Sequence, residues 1–238
     1  MRIDKFLSNS GAGSRKEIKA LIKNNAVSVG GKIIKDPSFK VDEDSSGVCV
    51  NGEYIMYKKY VYLMLNKPSG YVSAVFDKRL PVVCDLVDER YAHFDVFPVG
   101  RLDMDTEGLL VLTNDGALSH RLLSPKSHVD KQYFVRCEHA IDPSCETAFK
   151  DGVTLDDGYK TMGAAIEFLK DKNECLLTIR EGKFHQVKRM FKAVGNTVIY
   201  LKRVKMGGLR LDDNLPLGAV RELTEDELSA LKEEKQWI

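Results

Sequence analysis

Apolar residues recur along this chain with two different periods, and a change of period marks where an element begins. Within 3–7 the apolar side chains have helical spacing, and after the breaker at 11–13 a second helix opens at 14–17 with a capping box of the S-x-x-E type. Short apolar runs then flank a glycine pair at 30–31, which is typical of a β-hairpin. The N-terminal part is therefore predicted to form short helices followed by a β-ribbon.

After residue 60 the pattern alternates between strand-like and helix-like runs. Strand-like runs lie at 61–65, 109–113, 133–137 and 175–180. Helical patterns lie at 117–123, 144–150 and 186–194, and a capping box at 224–227 opens a C-terminal helix. This order predicts an α+β fold, with a small domain at 1–55 and a larger domain at 60–238 built on a mixed or antiparallel sheet.

The composition is that of a globular protein. Its 238 residues, 43% of them hydrophobic, are enough to fill a core. No apolar run approaches the roughly 18 residues that span a bilayer, and the first residues lack the apolar stretch of a signal peptide. We therefore expect a cytoplasmic protein with no membrane partner. The scattered cysteines favour neither a disulfide framework nor a metal site, and all are expected to be buried or half-buried thiols: Cys49, Cys84, Cys137, Cys145 and Cys175.

The formal net charge of +1 hides two basic segments on an otherwise acidic chain. Residues 1–40 contain nine Lys and Arg against three Asp and Glu, and residues 180–205 contain eight against Glu181 alone. A protein that contacts a polyanion at two places and is repelled by it elsewhere has this pattern. Lysines that only solvate a helix face would explain either segment taken alone.

A polar loop leads directly into an apolar strand within 100–116. Its carboxylates Asp103, Asp105 and Glu107 are expected at the mouth of a sheet, a place that suits catalysis. Their spacing also imitates the start of a calcium loop, but Asn114 stands where such a loop needs a bidentate glutamate, and a strand follows instead of a helix. We therefore favour a catalytic carboxylate over a metal site, and expect Asp105 to be a turn residue.

The N-terminal segment contains three short motifs in order: Arg2-Ile-Asp-Lys-Phe-Leu7, Ser14-Arg15 and Val27-Ser-Val-Gly-Gly31. In these it resembles the S4 RNA-binding module, whose order is an R-[LI]-D-K-F-L box, an S-R pair, a basic helix and V-x-V-[ND]-G. Gly30 is a departure from the last of these. The resemblance implies that this part of the chain binds RNA.

Four motifs follow one another in the rest of the chain. They are Asn66-Lys-Pro-Ser-Gly70, Arg101-Leu-Asp103 with Thr106 and Gly108-Leu-Leu, Lys131-Gln-Tyr133, and Glu181-Gly-Lys-Phe-His-Gln-Val-Lys-Arg-Met190. In these motifs and in their order the chain resembles the pseudouridine synthases, in particular those of small-subunit ribosomal RNA. Four ordered motifs leave little room for a chance match.

The resemblance implies a reaction and assigns roles in it. The reaction isomerises a uridine to pseudouridine after the base is flipped out of its helix, and it needs no cofactor because no electrons or groups enter or leave. Asp103 is implied as the catalytic carboxylate, Lys188 as the cation that keeps it charged, and Tyr133 as the residue that stacks on the uracil. Arg101 is expected to contact the phosphate backbone and support the flipped nucleotide.

Further residues are expected to contact RNA, and the substrate is expected to be 16S ribosomal RNA, in an assembly intermediate of the small subunit, bound by a monomer. These contacts are Arg2, Lys5, Ser14, Arg15, Lys16, Lys19, Lys67, Lys183, His185, Gln186 and Arg189. Two alternatives stay open at this point. One is a pseudouridine synthase that acts on 23S ribosomal RNA, and the other is a ribosome assembly factor that binds RNA without catalysis.

Overall fold

A computed structural model describes residues 1–42, 47–124 and 126–233, and the chain divides into two compact units. One unit comprises Met1–Val61 with Val87–Val96, and the other comprises Tyr62–Leu86 with Phe97–Ile238. No pattern in the sequence indicated that 87–96 belongs with the N-terminal unit, and the predicted domain limits remain a prediction. Within the described ranges, no helix is long and apolar enough to cross a membrane.

The N-terminal unit has the predicted helices and hairpin. Ser14 caps the second helix, since its Oγ accepts a hydrogen bond from the Glu17 amide at 3.3 Å while the Glu17 carboxylate accepts one from the Ser14 amide at 2.7 Å. The helices pack on a small antiparallel sheet of strand order β2-β1-β3-β4. The elements are α1 (Ile3–Asn9), α2 (Arg15–Lys23), β1 (Val27–Val29), β2 (Lys32–Ile33), β3 (Val48–Val50) and β4 (Glu53–Tyr54). Their core contains Ile3, Phe6, Leu7, Ile18, Ile22, Val27 and Val48.

The second unit is built on one mixed sheet. Its strand order is β13-β5-β7-β11-β8-β10-β9, with β12 added to β11 and β6 added to β7. The pairing is antiparallel except between β7 and β11, which run parallel. These strands are β5 (Tyr62–Lys67), β6 (Phe97–Pro98), β7 (Glu107–Thr113), β8 (Lys131–Cys137), β9 (Ala165–Phe168), β10 (Glu174–Ile179), β11 (Val198–Met206), β12 (Leu209–Arg210) and β13 (Val220–Glu222). The prediction of an α+β fold with a mixed sheet is confirmed.

Helices cover this sheet and have local start signals. Asp115 caps the first of them by accepting a hydrogen bond from the Leu118 amide at 3.0 Å, and Thr224 opens the last with the predicted capping box. The helices are α3 (Gly116–Leu123), α4 (Cys145–Asp151), α5 (Gln186–Ala193) and α6 (Glu225–Lys232). The cysteines are free, and each is buried or half-buried, as expected.

Strand β11 organises the centre of the sheet, although its sequence did not predict a strand. Lys202, Arg203 and Lys205 interrupt its apolar pattern, yet it pairs with both β7 and β8. Gly108 makes the parallel pairing with β7 possible, because a Cβ at that position would lie 2.3 Å from the carbonyl oxygen of Arg203. This close approach brings the polar loop before β7 next to β8 and β11.

Candidate active site

The loop that precedes β7 presents Asp103, and a buried lysine holds that loop in place. The Nζ atom of Lys67 donates hydrogen bonds to the backbone carbonyls of Asp103 (3.1 Å), Met104 (3.1 Å), Thr106 (2.9 Å) and Pro68 (3.1 Å). The loop therefore has a fixed backbone around the carboxylate.

Lys67 cannot contact RNA from this position, so that prediction is wrong. Its side chain is 0% exposed, and burial lowers its pKa to about 8 even though the nearby carboxylates of Asp105, Asp103 and Glu107 act to raise it. Sequence alone indicated a solvated lysine in a turn. The carbonyl acceptors that draw it inward lie more than 35 residues along the chain.

Asp103 lies at a small recess that adjoins a larger cleft. Its side chain is 27% exposed, and the recess of about 70 Å³ is bordered by Arg101, Tyr133 and His185 among others. Arg101 and Tyr133 also line the neighbouring cleft of about 680 Å³. A volume in this range admits a nucleoside. Thus the structure brings the predicted carboxylate, tyrosine and arginine together at one opening.

Tyr133 and Arg101 border the opening in different ways. Tyr133 is on β8, is 7% exposed, and lines both the recess and the cleft. Arg101 is exposed at the loop and borders both cavities. A base in the cleft would therefore meet an aromatic group fixed by the sheet and an exposed guanidinium at the rim.

Lys188 lies between two carboxylates. Its Nζ is 3.6 Å from Oδ2 of Asp103 and 2.6 Å from Oδ1 of Asp105. The predicted ion pair with Asp103 is present, but the shorter contact is with Asp105, which lies in a turn as expected. Partial desolvation opposes ionisation of Asp105, but the hydrogen bond and charge of Lys188 outweigh it, so the pKa of Asp105 is lowered.

His185 is a further neighbour of the Asp103 carboxylate. It adopts a left-handed backbone conformation, with φ of 49°, at the N-cap of α5, and its Nε2 is 3.8 Å from Oδ1 of Asp103. A non-glycine residue in this conformation is held there by its surroundings at some cost in energy. The ring of Phe184 stacks on the His185 ring with centroids 3.8 Å apart.

Phe184 is a residue that sequence reasoning did not single out. Its side chain is 74% exposed, although the loop that carries it is held by hydrogen bonds. Phe184 stacks on His185, which in turn neighbours Asp103. An exposed phenylalanine in this position is suited to stacking on a nucleobase. Its signal in the sequence was an aromatic residue between Lys183 and His185 in a basic loop.

Gln186 is buried and serves this loop, so its predicted RNA contact is wrong. Its Oε1 accepts a hydrogen bond from the Lys183 amide at 2.9 Å, and its Nε2 donates to Oε1 of Glu181 at 2.9 Å. Glu181 in turn accepts from the Tyr159 hydroxyl and the Met162 amide. The amide side chain is fully used in shaping the loop and is 4% exposed.

Arg189 is also committed within the protein. Its guanidinium lies 2.5 Å from Asp156 and 2.7 Å from Asp157, and hydrogen bonds to both carboxylates raise its pKa. These carboxylates compete with any phosphate for the guanidinium, and the RNA contact of Arg189 remains a prediction. Lys183 differs, since it is exposed with its Nζ 4.5 Å from the centre of the Tyr159 ring.

The predicted RNA contacts of the N-terminal unit lie at its surface. Arg2 is exposed but pairs with Asp4 at 2.9 Å, and Ser14 uses its hydroxyl oxygen to cap α2. The other predicted contacts are exposed: Lys5, Arg15, Lys16 and Lys19. The basic face of α2 is therefore able to meet a polyanion.

Glu107 does not join Asp103 and Asp105 in a calcium-like loop. It is the first residue of β7, and its carboxylate accepts a hydrogen bond from the Tyr200 hydroxyl at 2.7 Å. Burial, followed by this bond, raises the pKa of Tyr200 to about 12. Within the parts of the chain that the structure describes, no cluster of His, Cys, Asp and Glu has the grouping that a metal ion needs.

The chain is similar to known proteins along nearly its whole length. The model of the RNA pseudouridylate synthase family matches residues 61–193, and the model of the S4 domain matches residues 1–46. An uncharacterized RNA pseudouridine synthase of Bacillus subtilis (strain 168) is 51% identical over 98% of this chain and 99% of its own length. Ribosomal small subunit pseudouridine synthase A of Escherichia coli (strain K12) is 37% identical over 97% of this chain and 100% of its own. A pseudouridylate synthase of known crystal structure is 35% identical, covers 97% of this chain and 99% of its own, and has a TM-score of 0.68.

Proposed function

Since this chain belongs to the RNA pseudouridylate synthase family and carries an N-terminal S4 domain, we propose that it converts one uridine of 16S ribosomal RNA to pseudouridine. The likeness to the small-subunit enzyme of E. coli over nearly the full length of both chains supports this choice of RNA. We further propose that it acts as a cytoplasmic monomer on an assembly intermediate, in which the target nucleotide is still accessible.

The observation that carries the proposal is the position of Asp103. Its carboxylate is partly exposed, faces a recess next to a nucleoside-sized cleft, and has the ammonium group of Lys188 at 3.6 Å. A neighbouring cation favours the ionised form of a carboxylate. An ionised carboxylate is what the reaction requires, either as a nucleophile at the ribose or as a base.

The reaction is an internal rearrangement. The N1–C1′ bond breaks and its electron pair goes to the uracil ring, which then turns while it is still bound. C5 joins C1′, the C5 proton leaves, and N1 gains a proton, so that atoms and electrons balance without a cofactor. Asp103 acts at the ribose, while Tyr133 keeps the detached ring parallel to its own.

Access to the base requires that it leave the RNA helix. Flipping costs a few kcal/mol, which contacts to the extruded nucleotide and to its neighbours must offset. We assign Tyr133 to stack on the uracil, Arg101 to bind the adjacent phosphate, and Lys183 and His185 to contact the backbone. The exposed lysines and arginine of α2 add contacts that hold the RNA but do not select the base.

The substrate assignment is tested by mapping pseudouridines in both ribosomal RNAs from cells with and without this gene. The proposal predicts that one pseudouridine of 16S RNA disappears in the mutant cells and returns when the gene is restored. Loss of a pseudouridine from 23S RNA would show that the substrate is wrong. Unchanged maps in both RNAs would instead favour an assembly factor that binds without catalysis.

A further inference from the structure

A buried arginine in the wall of the cleft has donors that the protein leaves unused. Arg203 lies on β11 directly opposite Tyr133 on β8, and residues opposed in this way have side chains on the same face of the sheet. Arg203 is 2% exposed, and its Nε donates to the Leu109 carbonyl at 2.8 Å. Its Nη2 is buried without a hydrogen-bond partner in the described part of the chain.

A second cation lies close to it. Lys131 lines the same cleft, and burial together with the charge of Arg203 lowers its pKa to about 8, while Asp130 and Glu181 act in the opposite direction. Its Nζ donates to the Val129 carbonyl at 2.9 Å. An ammonium group has three donors, so Lys131 can bind a further acceptor.

Such a pair is unfavourable in an empty protein. Like charges repel in a partly dry site, and a buried guanidinium nitrogen without an acceptor loses its hydration with no compensating hydrogen bond. An apolar side chain at position 203 would fill the same space, so packing does not explain an arginine there. The arrangement becomes favourable once an oxygen that carries negative charge enters the cleft, because a guanidinium and an ammonium both donate to such oxygens.

We propose that Arg203 and Lys131 form an anion subsite, which binds a uracil carbonyl oxygen as negative charge collects on it during cleavage of the N1–C1′ bond. The proposal rests on the proposed function and adds a role for this face of the cleft. The electron pair of the broken bond is delocalised over N1 and the ring carbonyl oxygens, and it returns to carbon when C5 attacks C1′. The anion subsite therefore stabilises a charge that the bound uridine does not yet have, which accelerates the step.

A phosphate oxygen of the RNA backbone offers the same chemistry, so the test must distinguish the two sources. A phosphate is charged before and after the reaction, and a contact to it strengthens binding equally throughout. A uracil carbonyl gains its charge only as the bond breaks. If the subsite binds the uracil carbonyl, its effect on the rate depends on how well the leaving ring stabilises its own negative charge. If the subsite binds a phosphate, its effect does not depend on the ring.

The experiment compares uridine with 5-fluorouridine at the target position of the same RNA. Fluorine withdraws electrons from the ring and stabilises its anion. Single-turnover loss of the original nucleoside is measured for the wild type, Lys131→Met and Arg203→Lys, together with RNA affinity and thermal unfolding. Lys131 is only partly buried, so Lys131→Met keeps the test valid if Arg203→Lys does not fold.

We expect each variant to lose about 100-fold in rate on uridine, in the range seen when one electrostatic stabiliser is removed. On 5-fluorouridine the loss should be about tenfold smaller, with RNA affinity unchanged. Equal losses on both substrates, or weakened RNA binding with an unchanged rate, would overturn the proposal and favour a phosphate contact. A wild-type protein that makes no pseudouridine would instead count against the proposed function, which is independent of these variants.

Discussion

Lys188 donates its shortest hydrogen bond to Asp105, at 2.6 Å, and not to the carboxylate assigned to catalysis, which lies 3.6 Å away. Asp105 is largely exposed and Asp103 is not, with 68% and 27% of their side chains accessible. A water-exposed partner holds a lysine only weakly. Lys188 can therefore shift toward Asp103 at little cost when RNA covers the site.

The first prediction concerns this sharing of Lys188. Lys188→Met should lower the single-turnover rate by about 10- to 100-fold, because Asp103 then lies in a partly covered pocket without the neighbouring ammonium group. Asp105→Asn is the matched control, since it leaves Lys188 to Asp103 alone and should keep the rate within about threefold. An Asp105→Asn rate as low as that of Lys188→Met would show that Asp105 has a role of its own.

The second prediction separates the structural role of Lys67 from RNA binding. Lys67→Met removes the donor to several loop carbonyls, so the free energy of unfolding should fall by about 3 kcal/mol, near the upper cost of one unsatisfied buried group. Chemical denaturation measures this change, with the exposed Lys170→Met as control. The salt dependence of RNA binding should stay as in the wild type, whereas a shallower dependence would restore Lys67 as a phosphate contact.

The third prediction concerns the basic face of α2. Replacing Lys16 and Lys19 together by alanine should weaken RNA binding and make the plot of log K against log salt shallower, by about 0.7–0.9 for each phosphate that the protein no longer neutralises. Lys170→Ala, an exposed lysine to which we assign no RNA contact, should leave the slope unchanged. If both variants had the wild-type slope, the N-terminal unit would not bind phosphates through α2.

The fourth prediction follows from the pKa of Lys131, about 8. The amine loses its proton as the pH rises through that value, so if its charge is needed the rate should decline above pH 8. Lys131→Arg stays protonated and should remove the decline. Lys67 has a pKa of about 8 as well, and a decline that persists in Lys131→Arg would implicate Lys67 instead.

Local signals in the sequence were enough for much of the fold. The capping boxes at Ser14 and Thr224 act over three residues, so the starts of these helices could be predicted from the sequence. Strands β8 and β10 turn one face to the core, so the alternation of apolar and polar residues predicted them. Strand β11 could not, because its charged residues find partners or burial only after the sheet has formed.

The candidate site was predictable where its residues belong to one motif and not where distant segments decide. Asp103 could be located because it lies within the short glycine-bounded loop before β7, so the residues that mark it are its neighbours in the sequence. The burial of Lys67 and the ion pairs of Arg189 could not be predicted, because the carbonyls and carboxylates that bind these side chains are more than 30 residues away along the chain. Arg203 was counted with a basic surface, although it is buried opposite Tyr133.

The most direct test of the catalytic role of Asp103 is the formation of pseudouridine by Asp103→Asn. The substitution keeps the size of the side chain and removes the charge, and the substrate is undermodified small-subunit RNA in the presence of a chelator. We expect the wild-type protein to form one pseudouridine per RNA, while the variant binds the RNA with similar affinity and forms none. Full activity in Asp103→Asn would contradict this role, since the reaction would then not depend on the carboxylate.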